Sequence, residues 1–464
     1  MPGLDNSIFT PRRQDAKFGN DAFAPLRLGV RSVVPSRFRF GPIQAVAVAE
    51  RHELNALWWI RNFDILMTMK FSGHRRGIGF SVTLLILATV LATPVKAAGK
   101  LGVELIELAP LNGDNNNSAA AINDAGEVVG TSIRFNNDQE GGAGGRGGGT
   151  GDHHAFVYRR GRINRLCNEP STATAINDAG QIVGSIYSYS TNAVTVTNVV
   201  VNQEAVLFGP GMTTTLLEST NPSYATGINN QDEIVGGISI VNELAAYAFA
   251  YQRGATAFLP WPTNSVRQMA ASAINDQGDI VGFKSVQPGN NSSGEELPFF
   301  WHQGQMQDLG TLGGNTATAT AVNDLGEVVG WSTTVSNKET HAFLYREGEM
   351  IDLGGLPGAH YNPNTNNIPF NPTLAVSVAN AINHWGMIVG QALTATDLHA
   401  FIYANGRMTD LNHLVKLTRV GGRPGFVELT GANGINDLGQ IVGAGKYWDG
   451  RQETTRAFLL DLHL

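Results

Sequence analysis

Cysteine is almost missing from this sequence: Cys167 stands alone among 464 residues, so no intramolecular disulfide can brace the fold. Charged residues are also scarce, at 15% of the chain. The common catalytic signatures HExxH, GxSxG and the phosphate-binding P-loop are absent, which removes the best-marked metalloprotease, serine-hydrolase and nucleotide-hydrolase chemistries. One GxGxxG string, residues 142–147, lies between two expected strands with no helix after it, so it makes no dinucleotide cradle. "GGTGDHHAF" misses the calcium-binding nonapeptide by one residue and is not repeated. No metal and no cofactor is expected.

What the chain does have is glycine, 55 residues of it, and a phrase that recurs. "AINDAGEVVG" (121–130) returns as "AINDAGQIVG" (175–184) and "AINDQGDIVG" (273–282), and looser copies bring the total to seven. Their first asparagines are Asn123, Asn177, Asn229, Asn275, Asn323, Asn383 and Asn436, 46 to 60 residues apart. That period suits a propeller blade or a solenoid coil. In the fifth unit the landmarks run "ATAVND", "GEVVGWS", "HAFLYREG" and "MIDLGGL". Each is a short run of β-formers punctuated by Gly, Asn and Asp, so four strands per unit are expected. "AIN" ends the first strand, "D-x-G" turns, and "[IV]-V-G" opens the second. Asn and Asp suit such a turn through local hydrogen bonds, and Gly supplies positive φ. Asp232 replaces the turn glycine in the third unit, an exchange the left-handed region tolerates.

The third strands carry "HAFVY", "YAFAY", "HAFLY" and "HAFIY", and alternation places Phe156, Phe249, Phe300, Phe343, Phe401 and Phe458 on one sheet face. The last unit lacks a fourth strand, whereas residues 103–109 form an orphan fourth strand before the first unit. Paired together they leave no free edge. The expected fold is therefore all-β: a seven-bladed β-propeller of four-stranded antiparallel blades, closed by an N-terminal outer strand pairing with the last blade. The Ala, Gly, Ser and Thr of the first strands fit the crowded axis.

The "HAF" phrases at 154–156, 341–343 and 399–401, with "DLGTLGG" (308–314) and the recurring hairpin, resemble the HAF-repeat family of bacterial extracellular proteins. The resemblance covers roughly residues 103–464. It implies secretion and offers no catalytic residues to carry over.

The first hundred residues differ from the rest. From Met67 or Met69 the chain shows a basic start (Lys70, Arg75, Arg76), an apolar run from Ile78 to Ala92, and small residues around Ala97, the anatomy of a secretory signal. The apolar run is short for a membrane span. Expected domains are residues 1–66, an upstream segment outside the mature protein; 67–97, the signal peptide; and 98–464, the propeller. The alternative is a cytoplasmic tail on an uncleaved anchor. Residues 1–97 hold 13 of the 32 basic and 6 of the 39 acidic residues, leaving 19 against 33, a formal balance of −14. Such a chain repels nucleic acid and anionic membranes. It is expected to be a monomer, extracellular or periplasmic.

In a four-stranded meander, the turns joining strands one to two and three to four share one end, and the other connections share the opposite end. Here the first set is short and the second long and irregular. Binding residues gather on such loops over a rigid scaffold. Trp261, Arg267, His360, Tyr361, Arg419, Arg423 and Trp448 are the aromatic and cationic candidates for a protein or glycan ligand. Their bland reading is solvated loop residues or cover for the blade ends. His154 belongs to the repeated phrase, which explains it better than metal binding. Cys167, on a fourth strand at the place of Gly310 and Gly354, reads as an inert buried thiol. The expected function is a non-enzymatic binding module working through the long-loop face. The alternative is a polysaccharide-acting lyase or hydrolase there, which would need a carboxylate pair, or a His or Tyr base near a cation.

Overall fold

The computed structural model describes residues 102–134, 152–191, 199–209, 212–240, 245–260, 266–286, 295–357, 376–395 and 397–463, together with the backbone of three strands at 44–50, 53–60 and 65–70. The chain divides into two compact units, Met1–Ala97 and Ala98–Leu464. In the first, Gln44–Glu50, Glu53–Ile60 and Ile65–Lys70 pair antiparallel in that order. Most of the expected signal segment, with its apolar run, lies outside the described residues. No helix among the described residues is long and apolar enough to cross a membrane.

The second unit is a β-propeller of four-stranded antiparallel sheets. One sheet shows the plan: Asn116–Ile122, Val128–Arg134, Asp152–Arg159 and Arg162–Arg165 pair in chain order. The meander recurs through the chain, and single parallel contacts, Ala246 with Gln268 and Glu296 with Thr316, join three consecutive units into one twelve-stranded sheet. At the C-terminal end, Gly425–Ile435, Gln440–Trp448 and Glu453–Asp461 take Glu104–Leu108 as their fourth strand, with Leu459 opposite Ile106 and Asp461 opposite Glu104.

The recurring asparagine makes the turn and also clasps the next sheet. Asn123 Oδ1 accepts from Glu127 N at 2.9 Å, closing the turn, while its Nδ2 donates to Asn177 O at 3.0 Å. The relay continues from Asn177 to Asn229, Asn275, Asn323, Asn383 and Asn436 at 2.9–3.1 Å, and Asn436 Nδ2 donates to Asn123 O at 3.0 Å. All seven side chains are buried, where an unmet amide would be costly. A second set of lateral bonds runs between first strands. Thr174, Thr226 and Thr320 donate to Ala225 O, Ala271 O and Ala379 O, and Asn380 and Asn433 to Ala432 O and Ala119 O.

Phenylalanines fill the space between sheets: Phe156, Phe249, Phe299, Phe343, Phe401 and Phe458 are all fully buried. Here the sequence expectation fails by one residue. Phe299, opposite Gly282, holds the place expected for Phe300, because Leu297-Pro298-Phe299 is the fourth unit's version of the "HAF" phrase; Phe300 points the other way and is partly exposed. Each ring lies opposite the glycine that ends "[IV]-V-G": Gly130, Gly236, Gly282, Gly330, Gly390 and Gly443. A Cβ on Gly330 would meet Thr318 O at 2.0 Å and Phe343 at 2.9 Å, so this glycine is fixed by close approach and not by turn geometry.

Candidate functional site

The two ends of the sheets differ in construction. At one end, third and fourth strands are joined by two residues, as at Arg160-Gly161, Arg253-Gly254, Gln303-Gly304, Glu347-Gly348 and Asn405-Gly406. All ten have positive φ, the type I′ geometry whose twist matches the strands it joins. At the other end the strands are joined by longer stretches of sequence, as between Arg134 and Asp152, Asp352 and Ser377, and Asp410 and Gly425.

Four of the seven candidate residues are described. Trp261, His360 and Tyr361 lie outside the described residues. Arg419 and Arg423 are exposed on one connection, shaped by Gly422 N donating to Arg419 O at 2.8 Å and Thr418 Oγ1 to Arg423 O at 2.8 Å. Trp448 is half-buried opposite Gly425, two residues from Arg423. Its indole Nε1 is buried without a hydrogen-bond partner. These three share one corner of the last sheet. Arg267 is exposed at the start of Val266–Ile274, in a different sheet.

Beside that corner lies a polar cluster the sequence reading missed. His399 Nδ1 bonds Asp410 Oδ2 at 2.7 Å, and its Nε2 stands 3.8 Å from Glu428 Oε1, a buried oxygen without a hydrogen bond. Lys446 Nζ donates to Glu428 Oε2 at 2.9 Å and Asp397 Oδ1 at 3.0 Å. Burial alone would raise the Asp410 carboxyl. Hydrogen bonds from His399 and from Asn412 outweigh it and hold the group below the usual range. Burial likewise opposes charge on Lys446, and the bonds to Glu428 and Asp397 overcome it and raise its pKa. The signal that could have found the cluster is the pairing of the "HAF" histidine with the aspartate of "DL" eleven residues on, which also joins His341 to Asp352 at 2.8 Å. His154 obeys the same logic with a different partner, Asp114 Oδ2 at 2.8 Å, so the structure accounts for it without a metal.

Cys167 falls just beyond the strand Arg162–Arg165 and is half-buried, a correction to the expected buried strand position. Its chain position does match that of Gly310 and Gly354. Leu166, like Leu309 and Leu353 before those glycines, donates its N–H back to the third strand. Burial pushes its thiol up, and Sγ donates to Ser171 Oγ at 3.2 Å.

At the short-turn end, the axis opens into a mouth of about 260 Å³ rimmed by Asp124, Asp178, Asn230, Asp276, Asp324, His384 and Asp437. Most of these side chains are already engaged. Asp178 Oδ1 accepts from Asp124 N at 2.9 Å and Asp437 Oδ1 from His384 N at 2.8 Å. Asn230 Nδ2 bridges Asp178 and Asp276 at 2.8 and 2.9 Å. Burial, with the neighbouring Asp437 and Asp178 carboxylates, raises the Asp124 pKa against a backbone hydrogen bond that lowers it. Among the described residues no group of three or more His, Cys, Asp or Glu is arranged to hold a metal ion.

No protein-family model matches the chain, and no curated protein is significantly similar to it. Among solved structures it is similar to the β-propeller domain of the Trilobed protease from Pyrococcus furiosus, at 10% identity and TM-score 0.44 over 75% of this chain and 93% of that one. It is also similar to TolB from Acinetobacter baumannii, at 13% and 0.34 over 73% and 80%. A puromycin-hydrolyzing peptidase of Mycobacterium tuberculosis aligns at 11% and 0.41 over 74% of this chain and 52% of the peptidase, so this chain spans about half of that one. At such identities and scores these likenesses carry no argument about activity.

Proposed function

We propose that residues 98–464 form a seven-bladed propeller closed by Glu104–Leu108, working outside the cytoplasm as a non-enzymatic binding module for a protein or glycan. Two observations support the closed ring: the pairing of Glu104–Leu108 with Glu453–Asp461, and the asparagine relay that returns from Asn436 to Asn123. The observation that carries the binding role is the asymmetry of the ends. The repeated polar residues are spent on holding neighbours together, so side chains free for recognition come from the unrepeated connections, and the long ones join strand ends on the same side. Arg419 and Arg423 offer two exposed basic side chains on one such connection, and Trp448 stands half-buried at the strand end opposite Gly425.

The enzyme reading draws on His399, held between Asp410 and Glu428 with Lys446 alongside. A His between carboxylates can move a proton. All four groups already engage a protein partner, which favours a structural role and hence the binding reading.

A pull-down and glycan-array screen of the full chain separates the two. Binding that disappears in Arg419→Ala/Arg423→Ala, or when residues 358–375 are shortened, supports the binding reading. Polysaccharide cleavage that disappears in His399→Ala supports the enzyme.

A further inference from the structure

The short-turn end holds a second candidate site, and its evidence is the way two units depart from their own repeat. Between the third and fourth sheets, four turns enclose a groove of about 670 Å³, inside the range of about 300–1,000 Å³ usual for small-ligand sites. Trp301 lines it, with Gln231, Gln252, Gln277, Gln303 and Arg253 around it. Trp301 is half-buried and packs against the cluster containing Val235, Ile280 and Phe299, so the indole is braced by the core on one side and open to the groove.

These side chains are not what the repeat puts there. By strand register, the position of Trp301 is Tyr158, Tyr251, Tyr345 and Tyr403 in four other units. The turn position of Gln231 and Gln277 is Ala125 and Ala179 in the first two units, and Leu325, Trp385 and Leu438 in the last three. Asp232, also in the lining, stands with φ 63° where the other units have glycine. All these departures face one groove.

The corresponding groove between the first and second sheets, about 570 Å³, is the internal control. There Arg159 binds Glu127 at 2.8 Å and Gly180 O at 2.7 Å, and alanines occupy the turns. Its one cation is thus tied to groups of the protein itself, although the buried Arg159 Nε lacks a hydrogen bond. In the third-to-fourth groove, by contrast, the side chains of Trp301, Arg253 and the four glutamines make no hydrogen bond among the described residues; the backbone N–H groups of Gln231 and Gln277 donate to Asn229 Oδ1 and Asn275 Oδ1 at 3.0 Å.

We propose that this groove binds a neutral oligosaccharide. A primary amide both donates and accepts, which suits the paired hydroxyls of a sugar, and four of them surround an aromatic face on which the C–H side of a pyranose ring can lie. Asp232, Glu233 and Asp276 share the lining with Arg253 as the sole cation, so an acidic glycan is repelled. The polar groups come from four separate turns and not from a free strand edge, so the groove does not suit an extended peptide adding as a strand.

The test titrates the full chain with cellotetraose, maltotetraose, xylotetraose, mannotetraose and chitotetraose, and with tetragalacturonic acid as the anionic counterpart, following tryptophan fluorescence and heat. The expected result is binding of at least one neutral oligosaccharide, no binding of the acid, and a tenfold or greater loss of affinity in Trp301→Ala and in Gln231→Ala/Gln277→Ala. The glutamine pair variant restores residues that the first two units carry at the same turn, so it tests the site even if Trp301→Ala fails to fold. Failure of all five neutral probes to bind, binding of the acid alone, or affinity unchanged in the folded variants would overturn the proposal. So would binding removed only by changes at Arg419 and Arg423.

Discussion

Asn275 concentrates what a single residue does in this chain. Its Oδ1 closes the turn to Asp279 N at 2.8 Å, and its Nδ2 reaches Asn323 O at 2.9 Å and Asp279 Oδ2 at 3.0 Å. Asn275→Ala leaves buried partners unmet, and a loss of about 1–3 kcal/mol is expected, read from the midpoint of chemical denaturation. Two glycines separate the two reasons for that residue. Gly330→Ala drives a Cβ into Thr318 O and Phe343, an overpacking cost of about 1–3 kcal/mol. Gly348→Ala has open space around it at φ 87° and costs about 1 kcal/mol through its left-handed backbone alone. Equal effects in the two variants would contradict the close-approach reading. The turn role of Asn and Gly was legible in the repeated phrase, because turn chemistry is local. The clasp from Asn275 to Asn323 was not, because its acceptor lies 48 residues away. The fourth-unit phenylalanine was misplaced because Pro298-Phe299-Phe300 offers two rings, and only the pairing with Gly282 selects one.

At the scale of elements, the "HAF" histidine ties the start of a third strand to the end of its fourth. His341 is raised above its ordinary pKa chiefly by the hydrogen bond to Asp352, with burial opposing. Burial would raise Asp352, but the bonds from His341 and Gly354 N hold it low. The signs follow from linkage. The histidine's contribution is complete below its unfolded pKa of about 6.5 and is lost as pH rises through the raised folded value. The aspartate's is complete above its unfolded value of about 3.9 and is lost as pH falls through the lowered folded one. The stability gap between the parent and His341→Gln/Asp352→Asn is therefore expected to be widest between about pH 4 and 6.5, measured by denaturant melts across pH. A gap that does not vary with pH would show that the pair is not ionised in the fold. The strands themselves were readable from alternation and from the two-residue turns. The His399 cluster was not, since Glu428 and Lys446 come from the next sheet, a neighbour that spacing alone does not specify.

At the scale of the whole molecule, the sequence sets an orphan fourth strand at 103–109 ahead of the first unit and gives the last unit no fourth strand of its own, and that complementarity was the clearest long-range signal in it. The ligand surface was less legible. Long connections mark one end, whereas the groove around Trp301 shows only when repeat positions are compared through strand register. Closure is the central claim, and its most direct measurement is cysteine trapping of Ile106→Cys/Leu459→Cys in a Cys167→Ser background, since these residues sit opposite each other in the shared sheet. The closed ring predicts that mild oxidation gives a cross-link within one chain, seen as a faster-migrating monomer on a non-reducing gel and as a raised unfolding temperature that reductant reverses. Oxidation that yields only cross-linked dimers, or leaves both thiols free in the folded protein, would contradict it.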